Sequence, residues 1–295
     1  MPEILRDILG GVSGILTKTL VSAFPIINIL FILTAAGFGT MLHRKLSSRY
    51  RDIAALCLGG FLLLTGVSQL WDHFFVLDNG QLETTGTMLV VVALPLGYLF
   101  GEALLLDKGL AKLGQLLRRL FIGDSSAEAD KGSKKDKKPP QPIQPMDLVT
   151  REPEGYCPDG FIIATMVCAF GSPAIQCAIE SRLESVAAPL LYKILWDVAV
   201  ILLLTAIYGS SPTFAALPVL VTEGFLVIFT RFWGDLMTPT LVRQICLVGA
   251  VIVMAAGVKL SLGKKFKLGN LIPALFIPPL YGLAMMLIKK LTKAE

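Results

Sequence analysis

Long apolar runs separated by short polar segments dominate the hydrophobic pattern of this chain. A helix needs about 17 to 25 apolar residues to cross a bilayer. Lipid leaves an open chain no other spanning structure, because every backbone polar group must be paired within the segment. The pattern therefore predicts an all-α polytopic membrane protein of about eight transmembrane helices, at roughly residues 25–42, 53–70, 86–106, 160–179, 189–208, 213–230, 241–258 and 269–288.

The fourth run is interrupted near its middle by Gly171-Ser172-Pro173. Proline cannot donate a backbone hydrogen bond to the preceding turn, and serine often caps a new helix. A helix that restarts inside a membrane exposes unpaired amides with partial positive charge, so such breaks line a cavity or are buried in protein. The break is thus a candidate binding site. The alternative is a proline kink that a neighbouring helix satisfies.

Two segments lie outside these spans. Residues 1–24 carry apolar side chains at helical spacing, which predicts an amphipathic helix in the membrane interface, with a short re-entrant segment as the alternative. Residues 122–156 are rich in Lys, Ser, Asp and Pro and cannot bury a core, so we expect a disordered basic cytoplasmic linker. Its charge run either contacts anionic lipid or is a solvated tether.

Charged residues in the loops predict the orientation of the spans. The loop after the first span is basic from His43 to Arg51, whereas the loop from Trp71 to Glu83 contains no Lys or Arg. By the positive-inside rule the first loop is cytoplasmic and the second is external.

The two ends of the chain resemble each other with opposite charge bias. The loop at 234–241 lacks Lys and Arg, and the following loop holds Lys259 and Lys267, the reverse of the order in the first half. Opposite bias in equivalent loops is typical of inverted repeats. We therefore predict inverted three-helix units, spans 1–3 (25–121) and 6–8 (211–295), around a central pair (157–210). The alignment matches Gly66, Gly86, Pro95 and Tyr98 with Gly257, Gly269, Pro278 and Tyr281.

Composition supports membrane residence and excludes other classes. The chain has 295 residues, of which 54% are hydrophobic and only 17% are charged, with mean hydropathy +0.68, which does not fit a soluble globular domain. The five cysteines show no paired spacing and are interpreted as packing residues. The net charge of +5 is accounted for by the cytoplasmic loops, so the predicted partner is the lipid bilayer and no nucleic-acid partner is expected. Homo-oligomerisation is left open.

The fifth span carries the first candidate for chemistry. Lys193 and Asp197 are four residues apart, so they share a helix face and can pair in low dielectric. Asp197 lies roughly 12 Å into the span, near the midplane, at about 1.5 Å per residue. Ionisable groups at this depth are costly and usually face a cavity or a partner. The pair either serves ion transport, with Lys193 as the competitor of a cation or as the counter-ion of Asp197, or fixes helix register.

Glu223 in the sixth span is a second buried carboxylate, and Thr222 adds a hydroxyl beside it. Hard cations take oxygen ligands from carboxylates, hydroxyls and carbonyls. We therefore expect Asp197, Glu223, Thr222 and carbonyls near Ser172 to form a site for a cation, sodium or a proton, if these helices meet, and we expect no cofactor other than such a sodium ion. Gln176, just past the break, can face either way.

Three further polar residues are weaker candidates for a site. Glu102 lies near the cytoplasmic end of the third span and can simply extend to the interface. Asn28 and Asn270, in the first and eighth spans, are more often hydrogen-bond partners between helices than ligands. They are kept as candidate ion-binding or substrate-binding positions.

No enzyme is predicted, although alternatives exist. His43 and His73 are expected in loops on opposite sides, which would prevent a His-based metal site or a Ser-His site within the membrane. An aspartyl-type pair of Asp197 and Glu223 is conceivable but lacks a recognisable motif. The remaining alternative is a non-catalytic scaffold or assembly protein, in which the buried charges only fix helix register.

Several of these segments carry a family resemblance. Over roughly residues 25–290 the chain resembles domain of unknown function 554, the YqgA/YdfK-like bacterial inner-membrane proteins. The segments are Gly160-Phe161-Ile-Ile-Ala-Thr165-Met-Val-Cys168-Ala-Phe-Gly171, Lys193-x-x-x-Asp197, Ala216-Leu217-Pro218-Val219-Leu220 and Gly269-Asn270-Leu271-Ile-Pro273-Ala274-Leu275.

The resemblance implies a multi-pass protein of the inner membrane. Members are labelled transporters, or a sodium channel or pump, so the resemblance implies movement of an ion or solute. The family's polar positions that match here are Asn28, Glu102, Lys193, Asp197 and Asn270.

The chain also departs from this family. Relatives usually have Gly-Ala-Met-Ala-Ile where this chain has Gly171 to Ile175, and a glycine where this chain has Val198. Glu223 often corresponds to an uncharged residue, and the N-terminal helix is an addition. The sequence as a whole favours a cation-linked transporter or channel, for sodium or protons, with its site at the broken fourth span and the Lys193/Asp197 face.

Overall fold

The computed structural model describes residues 2–78, 81–84, 86–122, 157–183, 188–232, 238–263 and 266–292. Within these residues there are ten α-helices, two short strands and two 3-10 helices. Their order is α1 (Pro2–Lys45), α2 (Ser48–Phe74), β1 (Phe75–Asp78), β2 (Gln81–Thr84), α3 (Thr87–Ala103), α4 (Leu106–Ile122), α5 (Pro158–Phe170), α6 (Ser172–Leu183), α7 (Ala188–Tyr208), a first 3-10 helix (Ser211–Ala215), α8 (Ala216–Phe232), α9 (Pro239–Leu262), a second 3-10 helix (Leu268–Phe276) and α10 (Ile277–Thr292).

The predicted number of membrane spans is confirmed. By length and composition, seven stretches in the described part of the chain can cross a membrane: Ala23–Lys45, Ser48–Phe74, Pro158–Cys177, Ala188–Tyr208, Ser211–Thr230, Pro239–Leu262 and Leu268–Met286. Helices α3 and α4 pass the same test only as a pair, and they are bent by 57° relative to each other, so the number of spans is up to eight. The bend lies at Leu105, which has a positive φ of 53°.

Two sequence-based boundaries differ from the structure. The segment after α2, predicted as a loop, contains an antiparallel hairpin in which Phe75 pairs with Thr84 and Asp78 with Gln81. Helix α1 runs through Pro25 without interruption, so no helix boundary separates residues 2–24 from the first span. The interfacial position of residues 1–24 stays a prediction, and residues 123–156 of the linker lie outside the described residues.

The broken fourth span occupies the centre of the molecule. Within an 18-residue apolar window of Pro158–Cys177, 89% of the residues are buried, against 28% in the corresponding window of Ser48–Phe74. Ten consecutive residues of α5, from Gly160 to Ala169, are buried. A helix that is apolar and buried on all sides belongs inside a bundle, so the other spans surround α5 and α6.

Small residues allow α2 and α9 to cross closely. A Cβ on Gly59 would lie 2.9 Å from the carbonyl oxygen of Gly257, and a Cβ on Gly66 would lie 3.1 Å from that of Ala250. Such close backbone approach is typical of membrane helices with small residues at the contact. The repeat alignment pairs Gly66 with Gly257 and, at the same offset, Gly59 with Ala250. The contact of Gly59 with Gly257 and the contact of Gly66 with Ala250 therefore join equivalent positions of the two aligned halves. The inverted repeat itself stays a prediction.

Polar contacts gather several helix ends at one end of the bundle, which we call the basic end. His43 Nδ1 lies 3.0 Å from the carbonyl oxygen of Ala206, joining the ends of α1 and α7. Lys259 donates to Asp159 at 2.9 Å, joining the end of α9 to the start of α5. The end of α3 and the start of the second 3-10 helix meet there as well, through an ion pair of Glu102 with Lys267.

Candidate functional site

Four polar side chains from three helices meet in the interior. Asn28 lies on α1, Lys193 and Asp197 lie on α7, and Glu223 lies on α8. Each is at most 2% exposed. We call these four residues the central cluster. All four were predicted as site residues from the sequence, and the structure brings them together; their role in binding stays a prediction.

Hydrogen bonds and ion pairs link every member of the central cluster. Lys193 Nζ pairs with Asp197 Oδ2 one helical turn away and lies 3.3 Å from Glu223 Oε1. The amide nitrogen of Asn28 donates to Asp197 Oδ2 and to Glu223 Oε1, both at 2.7 Å. Asn28 and Lys193 thus bridge two carboxylates that would otherwise repel each other.

The broken span contributes to the central cluster through a backbone carbonyl. Lys193 Nζ donates to the carbonyl oxygen of Cys168 at 3.0 Å. Cys168 is in the last turn of α5, where carbonyl groups lack the next turn of helix as partner. A cation is favourable at this helix end because the partial charge there is negative. Lys193 therefore caps α5 while it neutralises carboxylate charge.

The charges of the central cluster do not balance when both carboxylates are ionised, because a single ammonium faces two of them. Within the described part of the chain, Asn28 Oδ1, Asp197 Oδ1 and Glu223 Oε2 are buried and have no hydrogen-bond partner. Unsatisfied buried oxygens are costly, more so when they carry charge. The central cluster therefore offers three oxygen acceptors and carries surplus negative charge when both carboxylates are ionised. These two properties suit the binding of a proton or a small cation.

The break itself differs in detail from the expectation. Gly171 is extended (φ −68°, ψ 154°), and α6 begins at Ser172. Ser172 Oγ lies 3.3 Å from His73 Nε2, so the serine contacts the end of α2. The new amide end of α6 also packs tightly: a Cβ on Gly249 would lie 2.7 Å from Ser172 N. Helix α9 thus fills the space beside the first amides of α6. The last carbonyl groups of α5 face the central cluster.

The sequence-based placement of both histidines in loops is wrong. His43 lies in the last turn of α1 and His73 in the last turn of α2, because both helices extend past their apolar windows. His73 is buried and contacts Ser172, so the argument that keeps both histidines away from the spans is wrong, while the expectation that the chain is not an enzyme stays a prediction. The backbone of Gly249 lies against this serine, and a substrate would have to displace that packing.

Thr222 and Gln176 were also predicted as ligands, and their role in binding stays a prediction. The hydroxyl of Thr222 donates to the carbonyl oxygen of Pro218 at 2.8 Å, within its own helix. A hydroxyl that bonds back to the preceding turn is the ordinary state of a helical threonine. Gln176 is half-buried on α6, one turn beyond Ser172.

Glu102 and Asn270 form a second cluster at the basic end. Asn270 donates to the Glu102 carboxylate, and its Oδ1 accepts from the backbone amide of Asp107 at 3.1 Å. Asp107 in turn accepts from the amide of Gly269 at 2.9 Å. The hydrogen bond with Glu102 raises the pKa of Lys267, but both side chains are partly exposed and such pairs stabilise little. This set ties both sides of the α3–α4 bend to the second 3-10 helix.

Sequence reasoning missed the roles of three groups: the Cys168 carbonyl, Asp107 and His73. The role of the Cys168 carbonyl as an acceptor can be inferred from the break. A helix that ends at Gly171 leaves the carbonyl groups of its last turn without backbone partners. Asp107 had a signal in the sequence, because the apolar run ends at Leu106, directly after the bend, and Asp107 is the first charged residue beyond it. His73 had no local signal, since its partner is distant in sequence.

Comparison with known proteins gives a family and one relative. The model of the protein family of unknown function DUF554 matches residues 24–283. The chain is 22% identical over 254 residues to the uncharacterised membrane protein YdfK of Bacillus subtilis (strain 168), covering 86% of this chain and 93% of the relative. No solved structure matches.

Proposed function

We propose that the chain, which belongs to the DUF554 family of membrane proteins, is a transporter or channel for a small cation, sodium or proton, that binds at the central cluster. The observation that carries this proposal is the charge balance of Asn28, Lys193, Asp197 and Glu223: two buried carboxylates, one buried ammonium, and three buried oxygens without partners among the described residues. The chain is proposed to reside in the inner membrane.

A cation at this position removes a physical penalty. An uncompensated carboxylate in a low-dielectric interior is strongly unfavourable, so it takes up a proton or a cation. Asp197 Oδ1, Glu223 Oε2 and Asn28 Oδ1 are the oxygens that would accept it. Lys193 already supplies one positive charge and keeps the affinity from becoming too high, as conduction requires a site that the ion can also leave.

The position of the central cluster also supports transport. Its residues come from α1 in the first predicted unit, α7 in the central pair and α8 in the second unit. In inverted-repeat transporters one unit moves against the other around a site near the midplane. A movement between the units would change the distances among these four side chains, and with them the affinity for the ion.

Sodium-tracer uptake into proteoliposomes, with and without an imposed proton gradient, tests the proposal. Wild type should take up tracer, whereas Glu223→Gln and Asp197→Asn should lose at least about tenfold in rate, the effect of about 1.4 kcal/mol. Each variant leaves one carboxylate opposite Lys193, so both retain a balanced pair and should fold. Thr222→Val is the matched control, because its hydroxyl bonds only its own helix in the structure, and it should transport normally.

Three outcomes separate the remaining functions. If proton movement replaces sodium movement and is lost in the same variants, the cation is the proton. If no ion moves and Asp197→Asn keeps its physiological effect in cells, the transport proposal is wrong. Deleting residues 124–153 then tests a scaffold that uses the linker, since a scaffold should lose function while a transporter should not.

A further inference from the structure

Helix α4 has three faces with different chemistry. Leu117 and Gly114 are buried, and this face packs against α5 and both 3-10 helices. A second face is apolar but exposed, with Leu113, Leu116 and Leu120 exposed by 37%, 53% and 70%. A third face is basic and exposed, and it consists of Lys108, Lys112 and Arg119. At 100° per residue the basic face lies directly beside the exposed apolar face.

The bend decides where this helix lies. Helix α3 has 17 residues, so it is about 25 Å long at 1.5 Å per residue and nearly spans the hydrocarbon core by itself. Helix α4 then turns away by 57° at the basic end. A straight continuation of α3 would carry α4 away from the membrane, whereas the bend brings α4 towards the membrane surface without placing Lys108, Lys112 and Arg119 in the hydrocarbon, where they would be costly. The bend keeps these side chains at the level of the headgroups.

We infer that α4 is an interfacial helix that binds anionic phospholipid, with Leu113, Leu116 and Leu120 in the acyl region and Lys108, Lys112 and Arg119 on the headgroup phosphates. An apolar stripe beside a basic stripe is the pattern of helices that lie in the plane of a membrane surface. Basic residues in such a helix attract anionic lipid of the cytoplasmic leaflet. This surface does not depend on the transport activity.

Hydrogen bonds at the bend between α3 and α4 hold α4 in this orientation. Asn270 bonds on both sides of the bend, to the Glu102 carboxylate and to the Asp107 amide. The Asp107 carboxylate accepts from Gly269. The orientation of α4 is therefore set by protein contacts, and the lipid meets a surface that is already formed.

The first test is the depth of the helix in the membrane. Spin labels on Leu116→Cys and Lys112→Cys, in a Cys57→Ser/Cys157→Ser background, are measured in vesicles of phosphatidylcholine and phosphatidylglycerol. The label at Leu116 should be accessible to lipid-soluble oxygen, and the label at Lys112 to a water-soluble nickel complex. Equal exposure of both labels to the nickel complex would overturn the inference.

The second test measures lipid choice by titrating phosphatidylglycerol or phosphatidylcholine into the full chain in detergent and following thermal unfolding. Phosphatidylglycerol should stabilise the wild type more, and Lys108→Gln/Lys112→Gln/Arg119→Gln should weaken its apparent affinity by at least about tenfold. The matched control is Arg44→Gln/Lys45→Gln/Arg49→Gln, which removes the same charge from exposed residues around the end of α1. Retained affinity in the control supports α4 as the site, and equal loss in both variants overturns it.

Discussion

The side-chain amide of Asn28 lies 2.7 Å from a carboxylate oxygen of Glu223, although 195 positions separate the two residues in the chain. The same nitrogen donates to Asp197 at 2.7 Å. One short polar side chain thus joins α1, α7 and α8 in the interior. Because both acceptors are carboxylates, these are charge-assisted hydrogen bonds, which are stronger than neutral ones.

Asn28→Ala should therefore destabilise the protein. It removes two donors from buried carboxylates, and each hydrogen bond to a charged group is worth about 1.5 to 3 kcal/mol. We expect the free energy of unfolding in detergent to fall by about 2 to 4 kcal/mol. The control is Thr34→Ala on the same helix, whose exposed hydroxyl bonds only the carbonyl of Phe31. If both variants unfold like the wild type, Asn28 is not holding the three helices together.

Lys193→Met should be more severe than either carboxylate substitution. It leaves two carboxylates without the buried ammonium and removes the partner of the Cys168 carbonyl, and breaking a buried pair costs about 3 to 5 kcal/mol. The measurement is thermal unfolding in detergent. Adding Asp197→Asn to Lys193→Met should recover part of the loss, because only one carboxylate then remains. A double variant no more stable than Lys193→Met would show that charge is not the cause.

Gly59→Ala and Gly60→Ala form a matched pair on adjacent positions of α2. A Cβ on Gly59 would meet the backbone of Ser261 at 2.7 Å and of Gly257 at 2.9 Å, whereas one on Gly60 meets nothing within 4 Å among the described residues. Overpacking of this kind costs about 1 to 3 kcal/mol. We expect Gly59→Ala to lower the unfolding temperature and Gly60→Ala to leave it unchanged or raise it slightly. Equal effects would contradict the close crossing of α2 and α9.

Asn270→Ala should loosen the bend between α3 and α4. The substitution removes the side chain that bonds to Glu102 on one side and to the amide of Asp107 on the other. Distances between spin labels on Leu96→Cys in α3 and Leu116→Cys in α4, in the Cys57→Ser/Cys157→Ser background, should become more broadly distributed. Lys267→Gln is the control, since it removes the partly exposed ion pair with Glu102 and leaves both hydrogen bonds of Asn270 in place. An unchanged distribution in Asn270→Ala would mean that the rest of the packing sets the bend.

Features that depend on one stretch of sequence were predicted well. The number of spans follows from the lengths of apolar runs, because the thickness of the bilayer sets one length for all of them. The pairing of Lys193 with Asp197 follows from four-residue spacing on a helix. The break at Gly171 follows from the proline two residues later.

Other local signals were present but were not used. Asn79-Gly80 is a typical signal for a two-residue hairpin turn, and the structure pairs the strands on either side of it. Hydropathy alone predicts loops at both histidines, because it ends each helix where the apolar run ends. A helix can extend past its apolar window when its polar end finds partners, as His43 does at Ala206.

The sequence by itself determined that this is a membrane protein with about eight spans, a central break and ionisable side chains at bilayer depth. Only the tertiary structure decided that Asn28 and Glu223 join Lys193 and Asp197, that Ser172 contacts His73, and that Thr222 bonds its own helix. The physical reason is that hydropathy reports how deep a residue lies but not which helix it faces. Neighbours across the bundle depend on where small residues let helices approach, and that is settled by packing between distant parts of the chain.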